Sequence, residues 1–306
     1  MNDNKSIIKS KEELDTREKL SIKQIRQYWS GKKVPQQWYS NKTPLTLQWF
    51  NDISKKRYSV YYSYLKNFCE FNNHFEEKIL EIGCGIGTDA VEYANNGADV
   101  TAIDLGEDQV NLTRLNFKLR NLKYNEISAG NCENLKFNDE SFDLVYCFGV
   151  LHHTLDISKG VSEIKRVLKK DGEAIIMLYS RGWKHYIKRC FINGIIKGKI
   201  FKYNFDWQKV YNEVSEVYGG SPQTLVLTKK QVLNLFKEFN TISVEKDRLG
   251  EFFDYKPYNT SMFFKFISKV FYFFSFEKLF GENWKIKVSK KPILKGKIKD
   301  VLFKHY

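Results

Sequence analysis

Residues 79–87 read Ile-Leu-Glu-Ile-Gly-Cys-Gly-Ile-Gly and residues 98–104 read Ala-Asp-Val-Thr-Ala-Ile-Asp, and these two stretches decide the fold. Ile79 to Ile82 has the pattern of a buried strand, and the glycines after it allow a tight turn against a ligand. The segment Asp89 to Ala94 predicts a helix whose N-terminus faces that loop. Asp104 can accept hydrogen bonds from both hydroxyls of a ribose. The two stretches therefore predict a nucleotide-binding βαβ unit.

The ribose could belong to a dinucleotide or to S-adenosylmethionine, and the glycine spacing separates these two possibilities. The dinucleotide fingerprint needs a glycine five positions after the first one, where its missing side chain lets helix and strand pack closely. That position is Thr88 here. An NAD-dependent oxidoreductase is therefore the disfavoured alternative.

Further motifs follow the glycine loop in a fixed order. The loop itself has the form Glu81-x-Gly83-x-Gly85-x-Gly87, and it is followed by the segments 127–135, 141–153 and 163–177. Together they resemble the class I S-adenosylmethionine-dependent methyltransferases, and within them the methyltransferase type 11 family, over roughly residues 75–180. The resemblance implies a methyltransferase whose cofactor is S-adenosyl-L-methionine.

The resemblance also implies roles for individual residues around the cofactor. Glu81 orders the loop formed by Gly83, Cys84, Gly85 and Gly87, and Asp104 binds the ribose. Leu105 flanks the adenine, and Asn131 and Cys132 contact the edge of the adenine. Phe148 and Gly149 pack behind the methionine. The family often has Asp at the position of Asn131. An amide oxygen can still accept a hydrogen bond from the adenine amine. For Cys84 and Cys132 we favour small buried filler over a cofactor contact.

Alternating strand and helix signals predict an α/β chain with a parallel sheet. The resemblance implies that this sheet is Rossmann-like and doubly wound, with seven strands that are mostly parallel and an antiparallel last strand. We divide the chain into a helical N-terminal cap (1–72), the cofactor-binding core (73–180), a lid insertion with a helix (181–240), and the last two strands with an aromatic insertion and a basic tail (241–306).

The last third of the chain contains two predicted strands and two insertions. Residues 241–246 and 284–289 have the period-two pattern of strands six and seven, and a helix is expected over 229–239. The insertions are residues 181–228 and 250–283. Insertions at these points commonly form the substrate lid in methyltransferases, so we expect them to set specificity.

The acceptor end of the cleft has candidate residues on two segments. His152 and His153 follow the fourth strand, and a histidine has a pKa suited to accepting a proton near neutrality. One of them is a candidate for a catalytic role, with a slight preference for His153. The alternative, which is slightly favoured, is a structural role in which the histidines bond to loop backbone or to a neighbouring strand. Tyr28 and Trp29 could close the methionine end of the cofactor. The alternative, packing of the cap onto the core, is slightly favoured for these two residues.

The five cysteines include no C-x-x-C pair, which argues for reduced thiols, no zinc site and no disulfide framework. No metal is expected, because a sulfonium carries its own leaving group. The first residues are polar, and neither a signal peptide nor a long apolar span follows. We therefore expect a cytoplasmic protein, with peripheral contact to the inner face of the membrane as a further possibility.

The net charge of +14 raises the question of a nucleic-acid partner. Only nine of the 50 basic residues are Arg, the type best suited to phosphate and guanine. The fourth strand ends in Phe148-Gly-Val-Leu-His-His153 rather than in the Asn-Pro-Pro-Tyr type of motif found in methyltransferases that act on base amines. Nucleic acid is therefore disfavoured as a substrate.

Residues 262–276 form an aromatic segment with Lys265, Ser268, Lys269 and Tyr272 at helical spacing. This pattern predicts an amphipathic helix that is too short and too charged to span a membrane. Burial against the core is the favoured interpretation. The alternatives are a lipophilic substrate pocket and a membrane interface assisted by the basic tail from Lys285 to Lys304.

These observations predict a methyltransferase that acts on a small-molecule, sugar, glycan or lipid-linked acceptor, by O- or N-methylation through in-line displacement. The alternatives are an RNA methyltransferase and a noncatalytic protein that binds RNA or a membrane. The sequence leaves the oligomeric state open.

Overall fold

A computed structural model describes residues 22–30, 40–182, 186, 189–216, 220–246 and 283–291. The strands of these residues form one sheet, whose members are β1 (Lys78–Ile82), β2 (Asp99–Asp104), β3 (Glu126–Ala129), β4 (Phe142–Phe148), β5 (Leu168–Tyr179), β6 (Thr241–Lys246) and β7 (Asn283–Ser289). The strand order is β3-β2-β1-β4-β5-β7-β6. The chain therefore reverses direction across the sheet between β1 and β4, where ligands bind in folds of this type.

The sheet is mostly parallel. β1 pairs in parallel with β2 and β4, β2 with β3, and β4 with β5. β7 is antiparallel to both of its neighbours, β5 and β6. The predicted fold class, a Rossmann-like seven-stranded sheet with an antiparallel last strand, is confirmed in the described part of the chain.

The helices of the described residues cover both faces of the sheet. They are α1 (residues 22–29), α2 (Leu47–Lys56), α3 (Leu65–Cys69), α4 (Thr88–Asn95), α5 (Glu107–Leu119), α6 (Ile157–Val167), α7 (Lys199–Lys202), α8 (Trp207–Val214) and α9 (Lys229–Leu235). Short 3-10 or π turns occur at Arg57–Tyr61, Phe71–Asn73, Leu151–His153 and Phe191–Ile196.

Side chains alternate across the central strands, so each strand contributes to two cores. On β4, Leu144 and Tyr146 pack with α3, α4 and α5, whereas Val145 and Cys147 pack with α6 and α9. β1 divides in the same way, with Ile79 on the first face and Leu80 on the second. The near-continuous apolar strands of the sequence are therefore those covered on both faces.

The N-terminal region adds a third, smaller cluster. Trp49, Phe50 and Ile53 of α2 are buried against Ile86 of the glycine loop. The Thr46 hydroxyl accepts a hydrogen bond from the Trp49 amide and caps the start of α2. Helix α2 is thus anchored directly on the segment that the sequence assigns to the cofactor.

Two sequence-based expectations for the last third of the chain differ from the structure, and a third lies outside the described residues. Helix α9 ends at Leu235 rather than at Phe239, because Phe236 and Phe239 both turn into the core behind it. The predicted helix over 262–276 lies outside the described residues. The predicted basic tail begins inside β7, where Lys285 and Lys287 face the rings of Tyr64 and Phe68, so these two lysines are not part of an exposed tail.

Within the described ranges, none of the helices has the length and apolar character needed to cross a membrane.

Candidate cofactor and acceptor site

The glycine loop after β1 is tied to the end of β2 by backbone and side-chain hydrogen bonds. The amides of Gly83 and Cys84 both donate to the Ile103 carbonyl, at 2.7 and 3.0 Å. The Asp104 carboxylate accepts from the amide of Gly85 at one oxygen and from the amide of Gly106 at the other, each at 3.0 Å. Each oxygen keeps a second lone pair, which leaves acceptor capacity for two ribose hydroxyls.

Two glycines of the loop are fixed by space as well as by conformation. Gly83 has a φ of 76°, and a β-carbon there would collide with the Val150 side chain. Gly87 has a φ of 72°, and a β-carbon would lie 2.6 Å from Thr113 Cγ2. Any side chain at either position would be strained and would push the loop away from β4 or α5. Both glycines of the motif are therefore required by close packing of the loop against neighbouring side chains.

A buried ion pair lies beneath the loop. Arg57 Nε donates to Asp89 Oδ1 at 2.8 Å, and Nη2 donates to Oδ2 at 2.5 Å. The hydroxyls of Tyr58 and Tyr146 also donate to the Asp89 carboxylate, each at 2.7 Å. Because the charge is paired and fully hydrogen-bonded, this carboxylate is held in place at the first turn of α4.

Glu81, the acid of the first motif, is buried beside this pair. Burial raises the pKa of its carboxyl, and the negative charge of Asp89 raises it further. Glu81 Oε2 has no hydrogen-bond partner among the described residues. A buried acceptor without a donor is costly, so this oxygen is suited to a polar ligand group such as an ammonium.

The predicted adenine side is formed by the turns after β2 and β3. Asn131 Oδ1 accepts from the Glu133 amide at 3.0 Å, so its amide oxygen already shapes this turn. Cys132 packs into the core cluster that contains Leu151, and burial raises the pKa of its thiol to about 12. Leu105 follows β2 and is partly exposed. A cofactor contact by Cys132 would therefore have to use its backbone.

The thiol of Cys84 is also buried, and it lies 3.4 Å from the Thr113 hydroxyl on α5. Burial, followed by the charge of Asp104, raises the pKa of Cys84. Both motif cysteines therefore have the environment of filler residues. None of the five cysteines of the chain forms a disulfide bond, and all five are buried.

The end of β4 forms the wall opposite Asp104. The ring of Phe148 lies edge-on to Tyr62, with centroids 5.1 Å apart, and the Arg57 guanidinium lies 4.9 Å from its centroid. Gly149 has a φ of 80°, and its amide donates to the Met177 carbonyl on β5 at 3.3 Å. The Phe148 ring is thus packed between these side chains at the end of β4, where the resemblance places the methionine.

Helix α1 joins the β2 side of the cleft to the β4 side. The side-chain amide of Gln109 on α5 donates to the Trp29 carbonyl at 2.5 Å. The Trp29 ring lies 4.6 Å from the ring of His153, and Tyr28 is edge-on to Trp29 at 4.9 Å. Trp29 therefore contacts both sides of the cleft mouth.

The two histidines have different surroundings. His152 is fully buried and stacks on Tyr179 with 3.8 Å between centroids, as expected for a packing role. His153 Nδ1 lies 2.9 Å from the Gln223 carbonyl, and burial lowers its pKa to about 4. His153 therefore stays neutral near pH 7 and is a weak base.

The 181–228 insertion brings a carboxylate to this group that the sequence did not indicate. Glu216 Oε1 lies 3.8 Å from His153 Nε2. Burial raises the pKa of Glu216 to about 7, although Arg189 and Tyr179 act in the opposite direction. Glu216 belongs to no motif, and its partner is 63 positions away along the chain. No local pattern could have found it.

The sheet carries a glycine loop after β1 and a hydrogen-bonded acid after β2, an arrangement suited to the ribose of a nucleotide cofactor. Residues 80–176 match the family described as a methyltransferase domain. The central part of the chain is therefore similar to a methyltransferase domain, and S-adenosyl-L-methionine is the cofactor that this similarity implies.

Curated relatives match over the same region. A ubiquinone biosynthesis O-methyltransferase from Rickettsia prowazekii is 31% identical over 148 residues, which are 48% of this chain and 58% of the relative. The protein of the same description from Aliivibrio fischeri MJ11 is 28% identical over 116 residues, 38% of this chain and 50% of the relative. The match thus spans between half and three fifths of these relatives.

Solved structures are similar to this chain at low identity. Phosphoethanolamine N-methyltransferase 2 from Haemonchus contortus, solved with S-adenosyl-L-methionine, has a TM-score of 0.49 and 20% identity over 76% of this chain and 52% of its own. An S-adenosylmethionine-dependent methyltransferase from Methanosarcina mazei has a TM-score of 0.48 and 18% identity over 74% of this chain and 97% of its own.

The residues present fit this cofactor. Asp104 retains acceptor capacity for ribose hydroxyls, and Glu81 Oε2 is a buried acceptor without a partner in the described part of the chain. These two features suit the ribose and the methionine ammonium of the cofactor.

Proposed function

We propose that the protein transfers the methyl group of S-adenosyl-L-methionine to a hydroxyl or amine of a small-molecule acceptor, including sugars and lipid-linked compounds. The bound cofactor supplies an electrophilic methyl group and its own leaving group. The protein's task is then to hold the acceptor atom in line with the methyl carbon and the sulfur, and to take up a proton.

The observation that carries this proposal is the position of the polar groups on the two sides of α1. Asp104 and the glycine loop lie on one side, and His153 lies on the other, with Trp29 in contact with both through Gln109 and the His153 ring. Val150 connects the two sides: it packs on Gly83, and its carbonyl accepts from the His153 amide at 2.8 Å. An acceptor beside His153 would thus lie close to the methionine end of the cofactor.

Within this proposal the predicted residue roles are kept, except that Glu81, which was predicted to order the glycine loop, is given a contact with the cofactor. Asp104 binds the ribose, Glu81 faces the methionine ammonium, and Phe148 backs the methionine. Cys84 and Cys132 contribute through their backbones alone, because both thiols are packed in the core. The names of the curated relatives support oxygen as the acceptor atom.

The test is incubation of the purified protein with methyl-labelled S-adenosyl-L-methionine and a deproteinised extract of the source cells. Label should appear in a small-molecule fraction, and Asp104→Ala should abolish its appearance. Label in the solvent-extractable lipids would identify a lipid-linked acceptor, whereas label in water-soluble metabolites would identify a sugar or other polar acceptor. Label confined to added RNA, or no label in any fraction, would overturn the proposal.

A further inference from the structure

The proton positions on His153 follow from its partners. A carbonyl oxygen can only accept, so the 2.9 Å contact between Nδ1 and the Gln223 carbonyl places a hydrogen on Nδ1. In the neutral ring, Nε2 then carries a lone pair. This nitrogen lies 3.8 Å from Glu216 Oε1. The cleft mouth therefore contains two facing hydrogen-bond acceptors, one from the core and one from the insertion.

Glu216 Oε1 is buried and accepts no hydrogen bond from the described residues. Its surroundings come from four elements: His153 after β4, Tyr179 at the end of β5, Tyr28 on α1, and Arg189 in the insertion. The Arg189 guanidinium is directed to the backbone carbonyls of Val214 and Ser215, next to Glu216. The positive charge of Arg189 thus partly balances the negative charge of Glu216, while Oε1 of Glu216 can still accept a hydrogen bond.

We propose that Glu216 is the residue that accepts the proton of the methyl acceptor, and that His153 Nε2 then accepts a hydrogen bond from the protonated Glu216. This inference rests on the proposed function. It assigns to the 181–228 insertion a chemical role in addition to covering the site. The acceptor is accordingly a group that carries a removable proton, an O–H or an N–H.

The step balances without a further reactant. The acceptor atom forms a bond to the methyl carbon, and the bond between that carbon and sulfur breaks with its electron pair going to sulfur. The acceptor's proton moves to Glu216 Oε1. This proton can then be shared with the Nε2 lone pair of His153, 3.8 Å away before any adjustment of the two side chains.

The acid strengths of the two groups agree with this division of roles. Burial raises the pKa of Glu216 to about 7 and lowers the pKa of His153 to about 4. Near neutral pH, Glu216 is therefore the stronger base, and it is close to the strength at which general-base catalysis is most effective. Burial, followed by the charge of Glu216, raises the pKa of Tyr28 to about 12, so this hydroxyl stays protonated.

The first experiment measures methyl transfer to the labelled extract fraction for the wild type and for Glu216→Gln. Glu213→Gln is the matched control, since Glu213 lies one helical turn earlier and pairs with Lys199 and Lys202 instead. We expect at least a hundredfold lower turnover for Glu216→Gln, with the dissociation constant for S-adenosyl-L-methionine within about threefold of wild type. The wild-type rate should rise through about pH 7. Turnover of Glu216→Gln within tenfold of wild type would overturn the inference.

A second measurement does not require the acceptor. In ¹⁵N-histidine NMR spectra of the full-length protein with S-adenosyl-L-methionine, His153 should be the Nδ1–H tautomer, and its Nε2 signal should shift near pH 7 as Glu216 titrates. Glu216→Gln should abolish this shift, and Glu213→Gln should retain it. A wild-type Nε2 signal without an inflection between pH 6 and 8 would overturn the inference. If the wild type transfers no label but shows the inflection, the proposed function fails and the Glu216–His153 pair stands.

Discussion

The two sides of the cleft are built in different ways. On the cofactor side, Asp104 and the glycine loop are joined through backbone amides of consecutive core elements. On the acceptor side, Trp29, His153 and Glu216 come from three distant segments and meet through side chains. A site formed through backbone amides requires particular residue types at a fixed spacing in the sequence. A site formed by side chains requires only that distant segments come together in the fold. This difference explains why Asp104 and the glycine loop could be predicted from a local pattern in the sequence, whereas Glu216 could not.

The strongest test of the cofactor side is Asp104→Ala. It removes a carboxylate that organises two amides and is assigned to the ribose, and hydrogen bonds to a charged group contribute roughly 1.5–3 kcal/mol each. We expect no detectable binding of S-adenosyl-L-methionine by calorimetry, with the circular dichroism spectrum retained. Asp99→Ala, at the exposed start of the same strand, should bind as wild type does. Unchanged affinity for Asp104→Ala would refute the assignment.

Asp89→Asn tests the buried ion pair between Arg57 and Asp89, which lies beneath the glycine loop. The substitution leaves the Arg57 charge buried without a counter-charge, a change that typically costs about 3–5 kcal/mol. Urea unfolding should show this loss of unfolding free energy. Asp52→Asn removes the partner of Lys56 in a more exposed pair, and it should cost less than about 1 kcal/mol. Equal losses for the two variants would show that the buried pair is not important for stability.

Glu216 should make the stability of the acceptor side depend on pH. The carboxyl's pKa is about 7 in the folded protein, against 4.5 for its ordinary value, so the folded state binds the proton more tightly. This contribution is fully present below pH 4.5 and is lost as the pH rises through 7. Between pH 5 and 8 the wild type should lose on the order of 2–3 kcal/mol that Glu216→Gln keeps. Parallel pH profiles of unfolding free energy for the two proteins would contradict the burial of this carboxyl.

Asn131→Ala should have the smallest effect. It removes one neutral acceptor from the predicted adenine side, worth about 1 kcal/mol, or roughly fivefold in affinity for S-adenosyl-L-methionine. Calorimetry with Asn138→Ala, an exposed loop residue nearby, provides the control. A loss above about a hundredfold would mean that Asn131 does more than accept one hydrogen bond, because its oxygen also binds the Glu133 amide.

Periodicity and glycine spacing were sufficient for the individual strands and for the loop between β1 and α4, whereas the antiparallel direction of the last strand was predicted from the family resemblance. The strand over 241–246 was predicted with its observed ends, because edge strands with one covered face show a clear alternation. The pair of Arg57 and Asp89 was missed, since 32 residues separate the partners and neither position has a local signature. Glu216 was missed for the same reason. The roles of the site residues stay predictions until the measurements above are made.

The position of β7 determines the order in which the sheet can be completed. β6 pairs only with β7 among the described residues, and β7 reaches β5 across more than a hundred positions of chain. During synthesis, β6 and the far edge of β5 therefore have no strand partner until residues 283–289 have emerged. The indole of Trp284 then donates to the Leu227 carbonyl at 2.7 Å, fixing the end of the insertion to the sheet. A nascent chain that stops before β7 would expose two strand edges, which are sites for aggregation.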